Sequence, residues 1–185
     1  FSPHMIMSFA APLGVGTESL GEYFDLELAE TVPTSEITRR LDAVMVEGVH
    51  VLSTRQVEDG KAGKAMSLVA AADYYVEFRP GKEPKISDFL AQPEITVMKK
   101  TKRSEKEIDI RPFIYKMELQ GDKIFMMLAS ASANYTKPEL VTDTFFSWLG
   151  IELPEFAYSI KRLEVYADKG TEEEHKFVTL EALGE

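Results

Sequence analysis

The stretch KIFMMLASASANYTKPELVTDTFFSWLGIELPEFAYSIKRLEVYA, residues 123–167, decides the fold class of this chain. Its opening segment, 123–131, predicts a strand. Thr136 and Glu139 then form a capping box, which indicates that a helix begins at this point. Residues 157–167 predict the last strand, so the stretch reads as strand, helix, strand. The helix places four apolar residues on one face: Val141, Phe145, Trp148 and Leu149.

The same alternation of strands and helices is predicted for the rest of the chain. The predicted strands are residues 5–11, 22–28, 49–57, 74–78, 95–100 and 108–119, and the predicted helices are residues 34–45 and 86–91. Pro112 predicts a kink or an edge position in the strand that contains it. We therefore expect an α+β fold of two tandem split β-α-β (ferredoxin-like) units, with mainly antiparallel sheets and the helices on one side.

A polar segment with two glycines, Asp59 to Lys64, marks the predicted boundary between the units. The interpretation is an N-terminal α+β unit at 1–62, a second α+β unit at 63–168, and an acidic, loosely structured tail at 169–185. The first unit lacks the leading β-α of a complete split β-α-β unit. We expect the sheet edge exposed by that gap to pair with a missing segment or with another copy of the chain.

Composition excludes several kinds of chemistry. The chain has 185 residues, a net charge of -10 and no cysteine, which removes disulfides, iron–sulfur clusters and thiolate zinc sites. Its three histidines, His4, His50 and His175, are far apart in sequence, so we predict no metal site and no cofactor. No apolar run is long enough to span a bilayer and no signal peptide is visible, which favours a cytoplasmic protein without a membrane partner.

A basic run stands out in this acidic chain. It comprises Lys99, Lys100, Lys102, Arg103 and Lys106. Basic residues on strands with aromatic neighbours can grip phosphates and stack bases, so the run is a candidate RNA-binding patch. The same pattern is also typical of a solvated hairpin tip that protects an edge strand.

Two further groups are candidate site residues. Ser132 and Asn134 lie in a loop of small residues before the last helix, where free amides can hold an anion, and Arg111 and Arg162 can complete that site from neighbouring strands. The alternative is a capped helix with a tight turn. Glu22 has the same strand parity as apolar neighbours, so it is a possible buried carboxylate, either a general acid or base or an anchor paired with an arginine.

Four segments of the sequence resemble a known family. They are FSPHMIMSFAAPLGVGTESLGEYFDLEL at 1–28, the helix predicted at 34–45, IDIRPFI at 108–114 and SASANYTKPE at 130–139. They are similar to the radical-SAM-linked family, a bacterial domain of unknown function found fused to, or beside, cobalamin-binding radical SAM proteins. The resemblance implies an accessory role near radical chemistry or RNA metabolism and a radical SAM protein as partner. It supplies no catalytic residues.

Three functions follow from these observations. The first is an accessory or adaptor module that presents a substrate, RNA or protein, to a radical SAM partner. The second is an RNA-modifying enzyme that uses a carboxylate, because tandem split β-α-β units are also found in pseudouridine synthases, although a Gly-Arg-Thr-Asp motif is absent. The third is a purely structural subunit.

Overall fold

A computed structural model describes residues 7–57, 60, 64–78, 85–100, 105–171 and 173–184, with the backbone alone at 99 and 100. Its strands are β1 (Met7–Phe9), β2 (Thr17–Ser19), β3 (Phe24–Leu26), β4 (Val69–Phe78), β5 (Thr96–Lys100), β6 (Glu105–Asp109), β7 (Ile114–Gln120), β8 (Lys123–Ala129), β9 (Tyr158–Asp168) and β10 (Phe177–Thr179). Its α-helices are α1 (Thr34–Asp42), α2 (Ala65–Leu68), α3 (Ile86–Leu90) and α4 (Pro138–Trp148). Two short 3₁₀ helices cover Arg111–Phe113 and Leu180–Leu183.

The main sheet has six strands. Five lie in the order β10-β9-β4-β8-β7, with antiparallel neighbours, and β2 joins it in parallel alongside β9. The elements β4, α3, β7, β8, α4 and β9 follow one another along the chain, and the separate β5–β6 hairpin is inserted between α3 and β7. The predicted mixed fold with mainly antiparallel sheets is therefore confirmed. The arrangement as two tandem ferredoxin-like units stays a prediction.

One face of the main sheet carries the hydrophobic core. Cross-strand rows such as Ile160–Val76–Ile124 are almost completely buried. Helix α4 covers this face with Phe145, whose ring centroid lies 5.0 Å from that of Phe89 in α3. Alternation of side chains explains most of this burial, and register shifts interrupt it between Asp73 and Tyr74 in β4 and between Ile114 and Lys116 in β7.

The opposite face, called the outer face below, points away from α3 and α4. Register places Lys161, Tyr75, Phe125 and Glu118 in one row across β9, β4, β8 and β7. These four side chains are partly exposed. Solvent therefore reaches the outer face along this row, whereas Asp73, two residues before Tyr75 in β4, is 7% exposed.

Several local expectations differ from the structure. The predicted long strand around Pro112 is divided into β6, the first 3₁₀ helix and β7, because proline cannot donate a ladder hydrogen bond. Helix α4 begins at Pro138 without a side-chain cap, and Thr136 instead donates its hydroxyl to the carbonyl of Asn134. Residues 49–57 form no strand, since their polar groups bond to side chains such as Asp42, which accepts the amide of Val51 at 3.0 Å.

The segments near the two ends of the chain differ in their secondary structure and in how far they pack against the main sheet. β1 and β3 form a separate two-stranded sheet, and α1 has no buried residue. The C-terminal segment, expected to be loosely structured, forms β10 and the second 3₁₀ helix. None of the helices within the described ranges is long and apolar enough to cross a membrane.

Candidate functional site

Arg162, whose side chain is buried, forms an ion pair with the half-buried Glu22, across 140 residues of sequence. Its side chain is 2% exposed and lies on the helix-covered face of β9. Nη2 donates to both carboxylate oxygens of Glu22 at 2.6 Å, and Nε donates to Oε1 at 3.0 Å. The same Nη2 donates to the carbonyl of Ala11 at 2.6 Å. The pair fastens the N-terminal segment to the main sheet.

The Glu22 carboxylate is fully engaged in this arrangement. Besides Arg162, it accepts the hydroxyl of Ser19 at the end of β2. This geometry is that of a structural anchor paired with an arginine. The sequence had left two roles open for Glu22, this anchor and a general acid or base. A carboxylate held by a guanidinium fork is strongly oriented, so its main effect is to position the β2 segment against β9.

The small-residue loop connects β8 to α4. Ser132 is exposed. Asn134 is half-buried, and its backbone amide donates to the carbonyl of Ala131. Ser130 Oγ and Asn134 Oδ1 are buried and have no hydrogen-bond partner within the described residues. Nearby, burial raises the pKa of Tyr74, which faces Arg162 across β4 and β9, to about 12.

Arg111 lies in a different place. It begins the 3₁₀ helix before β7, whereas β8 and β4 separate β7 from β9 and Arg162. Its Nε donates to the carbonyl of Leu90 at 2.8 Å, and Nη1 donates to that of Ile114 at 3.3 Å. Both guanidinium groups thus bond within the chain, and the anion-accepting surface shared by Arg111, Arg162 and the loop stays a prediction.

The basic run falls on the β5–β6 hairpin. Register pairs Lys99 with Lys106 and Lys100 with Glu105, and Lys106 is exposed. Lys102 and Arg103 lie outside the described residues. At the base of the hairpin, Ile95 and Ile110 are buried and joined by a backbone hydrogen bond of 2.9 Å. The hairpin is therefore a separate two-stranded ribbon anchored at its base to the core.

A matching family model covers residues 1–138, which is most of the chain. It describes uncharacterised proteins conserved in bacteria, under the name DUF2344. The chain belongs to this family. No curated protein matches the chain, and no solved structure matches it. Membership in DUF2344 confirms the expected bacterial domain of unknown function, and the association with radical SAM proteins stays outside what the match shows.

The DUF2344 match includes most of the candidate residues. Glu22, the basic hairpin, Arg111 and the loop before α4 lie within it, whereas Arg162 lies beyond its end at residue 138. Among the described residues no group of three or more His, Asp or Glu side chains is placed to hold a metal ion.

Asp73 is a buried acidic residue that was not among the candidates predicted from the sequence. It is 7% exposed in the middle of β4, and its Oδ2 accepts the hydroxyl of Tyr166 at 2.9 Å. Its Oδ1 is buried without a hydrogen-bond partner among the described residues. Burial, together with the negative charge of Glu164, raises the pKa of the Asp73 carboxyl. One acidic residue within the apolar run 69–76 is the signal that points to this position.

Proposed function

We propose that this DUF2344 protein is a cytoplasmic accessory module that binds RNA with its β5–β6 hairpin and presents that RNA to a radical SAM partner. The role requires a binding surface and no catalytic group of its own. The radical SAM partner rests on the family resemblance of the sequence alone.

The observation that carries the proposal is the concentration of positive charge in the sequence of the β5–β6 hairpin. Five of the 21 basic residues of the chain fall within residues 99–106, which contain one acidic residue, while the whole chain has a net charge of -10. An acidic body repels a phosphate backbone, so a local basic ribbon directs the RNA to one place. Val97 in β5 is buried and Ile108, its partner in β6, packs against the core, whereas Lys106, nearer the tip of the hairpin, is exposed.

Docking of a protein partner has a separate candidate surface. Val44, Val46 and Leu52, which follow α1, are each more than 70% exposed. Exposed apolar side chains close together in sequence are typical of a protein–protein interface. We propose this segment for the radical SAM partner, and the edges of the β1–β3 sheet for self-association.

The experiment is a titration of the chain with tRNA and rRNA fragments over a series of salt concentrations. Lys100→Glu combined with Arg103→Glu should weaken binding, and the slope of log affinity against log salt should become shallower by roughly 1.4 if each lost contact is to a single-stranded phosphate. Lys137→Glu combined with Lys169→Glu is the matched control, because it changes the net charge equally at exposed positions outside the hairpin.

The outcomes separate the three functions. RNA binding that survives the hairpin reversal but not the control contradicts the proposed site. Absence of RNA binding in the wild type, with a radical SAM protein still retained on pull-down, favours a structural subunit. Turnover of an RNA substrate by the isolated chain would instead support the carboxylate enzyme.

A further inference from the structure

We propose that the outer face of the main sheet binds single-stranded RNA by stacking unpaired bases on Tyr75 and Phe125. This proposal rests on the proposed function and specifies its ligand: the hairpin attracts the phosphates, and the outer face contacts the bases.

The two rings lie at the centre of the sheet. Tyr75 in β4 and Phe125 in β8 are direct cross-strand partners, with ring centroids 6.0 Å apart and ring planes at 71°. The Tyr75 hydroxyl donates to Gln120 Oε1 at 2.7 Å, which fixes the orientation of that ring. Aromatic side chains on central strands, with α3 and α4 on the other face of the sheet, resemble the arrangement by which sheet modules stack two or three RNA bases.

Two lysines stand over these rings. The Lys116 ammonium lies 5.3 Å from the centroid of Phe125, and the Lys123 ammonium lies 5.6 Å from that of Tyr75. Both lysines are already paired, Lys116 with Glu118 at 2.9 Å and Lys123 with Glu77 at 2.6 Å. All four of these charged side chains are at least 38% exposed, and exposed ion pairs contribute little. An entering base can therefore displace the ammonium groups towards its own phosphates.

The chemistry of this surface selects a nucleotide over other ligands. A nucleotide combines an aromatic face, which stacks on Tyr75 and Phe125, with a phosphate, which accepts from lysine. A purely apolar protein partner would make no contact that uses the ammonium groups of the two lysines. Bases in a duplex are stacked on each other and cannot reach the rings, so the ligand must be single-stranded.

The test uses the intact chain and a short, labelled single-stranded RNA, followed by fluorescence anisotropy. Tyr75→Leu and Phe125→Leu should each weaken binding by about 5- to 150-fold, because each removes one stacking surface. The salt dependence should stay that of the wild type, since no phosphate contact is lost. Tyr75→Phe keeps the ring and should bind like the wild type.

Phe156→Leu is the matched control, because Phe156 is an aromatic residue 96% exposed in the turn before β9. Unchanged urea midpoints show that the leucine variants are folded. Wild-type affinity in both folded leucine variants would overturn the stacking proposal while leaving binding by the hairpin intact. Equal losses for duplex and single-stranded RNA would also contradict it. A wild-type chain that binds no RNA at all would remove the proposed function and this proposal together.

Discussion

At the residue scale, the most consequential contact is the ion pair between Glu22 and Arg162. Removing one member of a buried pair leaves the other charge unpaired, which costs more than the pair itself contributes. We expect Glu22→Gln to lower the free energy of unfolding by roughly 3 kcal/mol, because the Arg162 guanidinium is almost completely buried. Urea denaturation followed by fluorescence of the single tryptophan, Trp148, measures the loss.

The double variant Glu22→Gln with Arg162→Met provides the control for this prediction. Once both partners are replaced, no charge remains buried, so the double variant should lose less stability than the sum of the two single changes. Strictly additive losses would mean that the two side chains do not interact in solution.

Asp73 gives the chain a specific pH dependence. Its carboxyl pKa is raised in the folded state, chiefly by burial, so the folded protein holds this proton more tightly than the unfolded chain does. The stability contributed by the protonated form is present below the unfolded value of about 3.9 and is lost as pH rises through the folded pKa. We expect Asp73→Asn, which can still accept the Tyr166 hydroxyl, to remove this loss.

The measurement is the free energy of unfolding of wild type and Asp73→Asn from pH 4 to pH 8. The variant should gain relative to the wild type as pH rises, because only the wild type must ionise a buried group. A difference that is constant over the whole range would contradict the assignment of this pH dependence to Asp73.

At the element scale, β2 reaches β9 because Gly21 follows it. A Cβ at Gly21 would lie 2.9 Å from the backbone carbonyl oxygen of Leu163 and 3.3 Å from Glu164 Oε1. The carbonyl is part of the main chain of β9 and cannot move aside cheaply. We expect Gly21→Ala to cost about 1–3 kcal/mol, which lowers the Tm by roughly 2–4 °C per kcal/mol in a chain of this size.

Gly14→Ala is the matched control, because its Cβ would meet nothing closer than Thr17 Oγ1 at 3.7 Å. Its Tm should equal or slightly exceed that of the wild type, since alanine restricts the unfolded chain. If both alanine variants melt at the same temperature, β2 does not pack closely against β9.

At the scale of the whole molecule, the first and second halves share one sheet. β2 pairs with β9, and Asp25 in β3 accepts the backbone amide of Ala65 at 2.9 Å. Shared ladders and a buried ion pair couple unfolding of the two halves, so we expect one cooperative transition. A tryptophan at Phe9, introduced as Phe9→Trp in a Trp148→Phe background, should report the same urea midpoint as Trp148.

Different urea midpoints at positions 9 and 148 would contradict the expectation of one cooperative transition. Phe9 packs against Phe24 in the β1–β3 sheet, with ring centroids 5.8 Å apart, whereas Trp148 packs against Phe89 in the main core at 5.6 Å. A lower midpoint at position 9 than at position 148 would show that the halves unfold separately, as expected for the two units predicted at 1–62 and 63–168.

Short-range patterns were enough to predict several features. Residues 123–131 and 157–167 were predicted as strands, and the structure has β8 at Lys123–Ala129 and β9 at Tyr158–Asp168. Of the four residues on the predicted apolar face of α4, Val141 and Phe145 are buried, whereas Trp148 is 40% exposed. The basic run was visible because charge can be counted without coordinates. These features need only neighbouring residues, whose spacing alone sets which side chains share a face.

Only the tertiary structure decided which distant segments meet. It joined β2 to β9, paired Glu22 with Arg162, placed Arg111 on another edge of the fold, and set Tyr75 directly beside Phe125 on the outer face. Strand pairing and burial depend on residues far apart in the chain, and local patterns do not encode which strand becomes the neighbour. Packing of the whole sheet determines which strands pair, and the contacts of each side chain follow from that pairing.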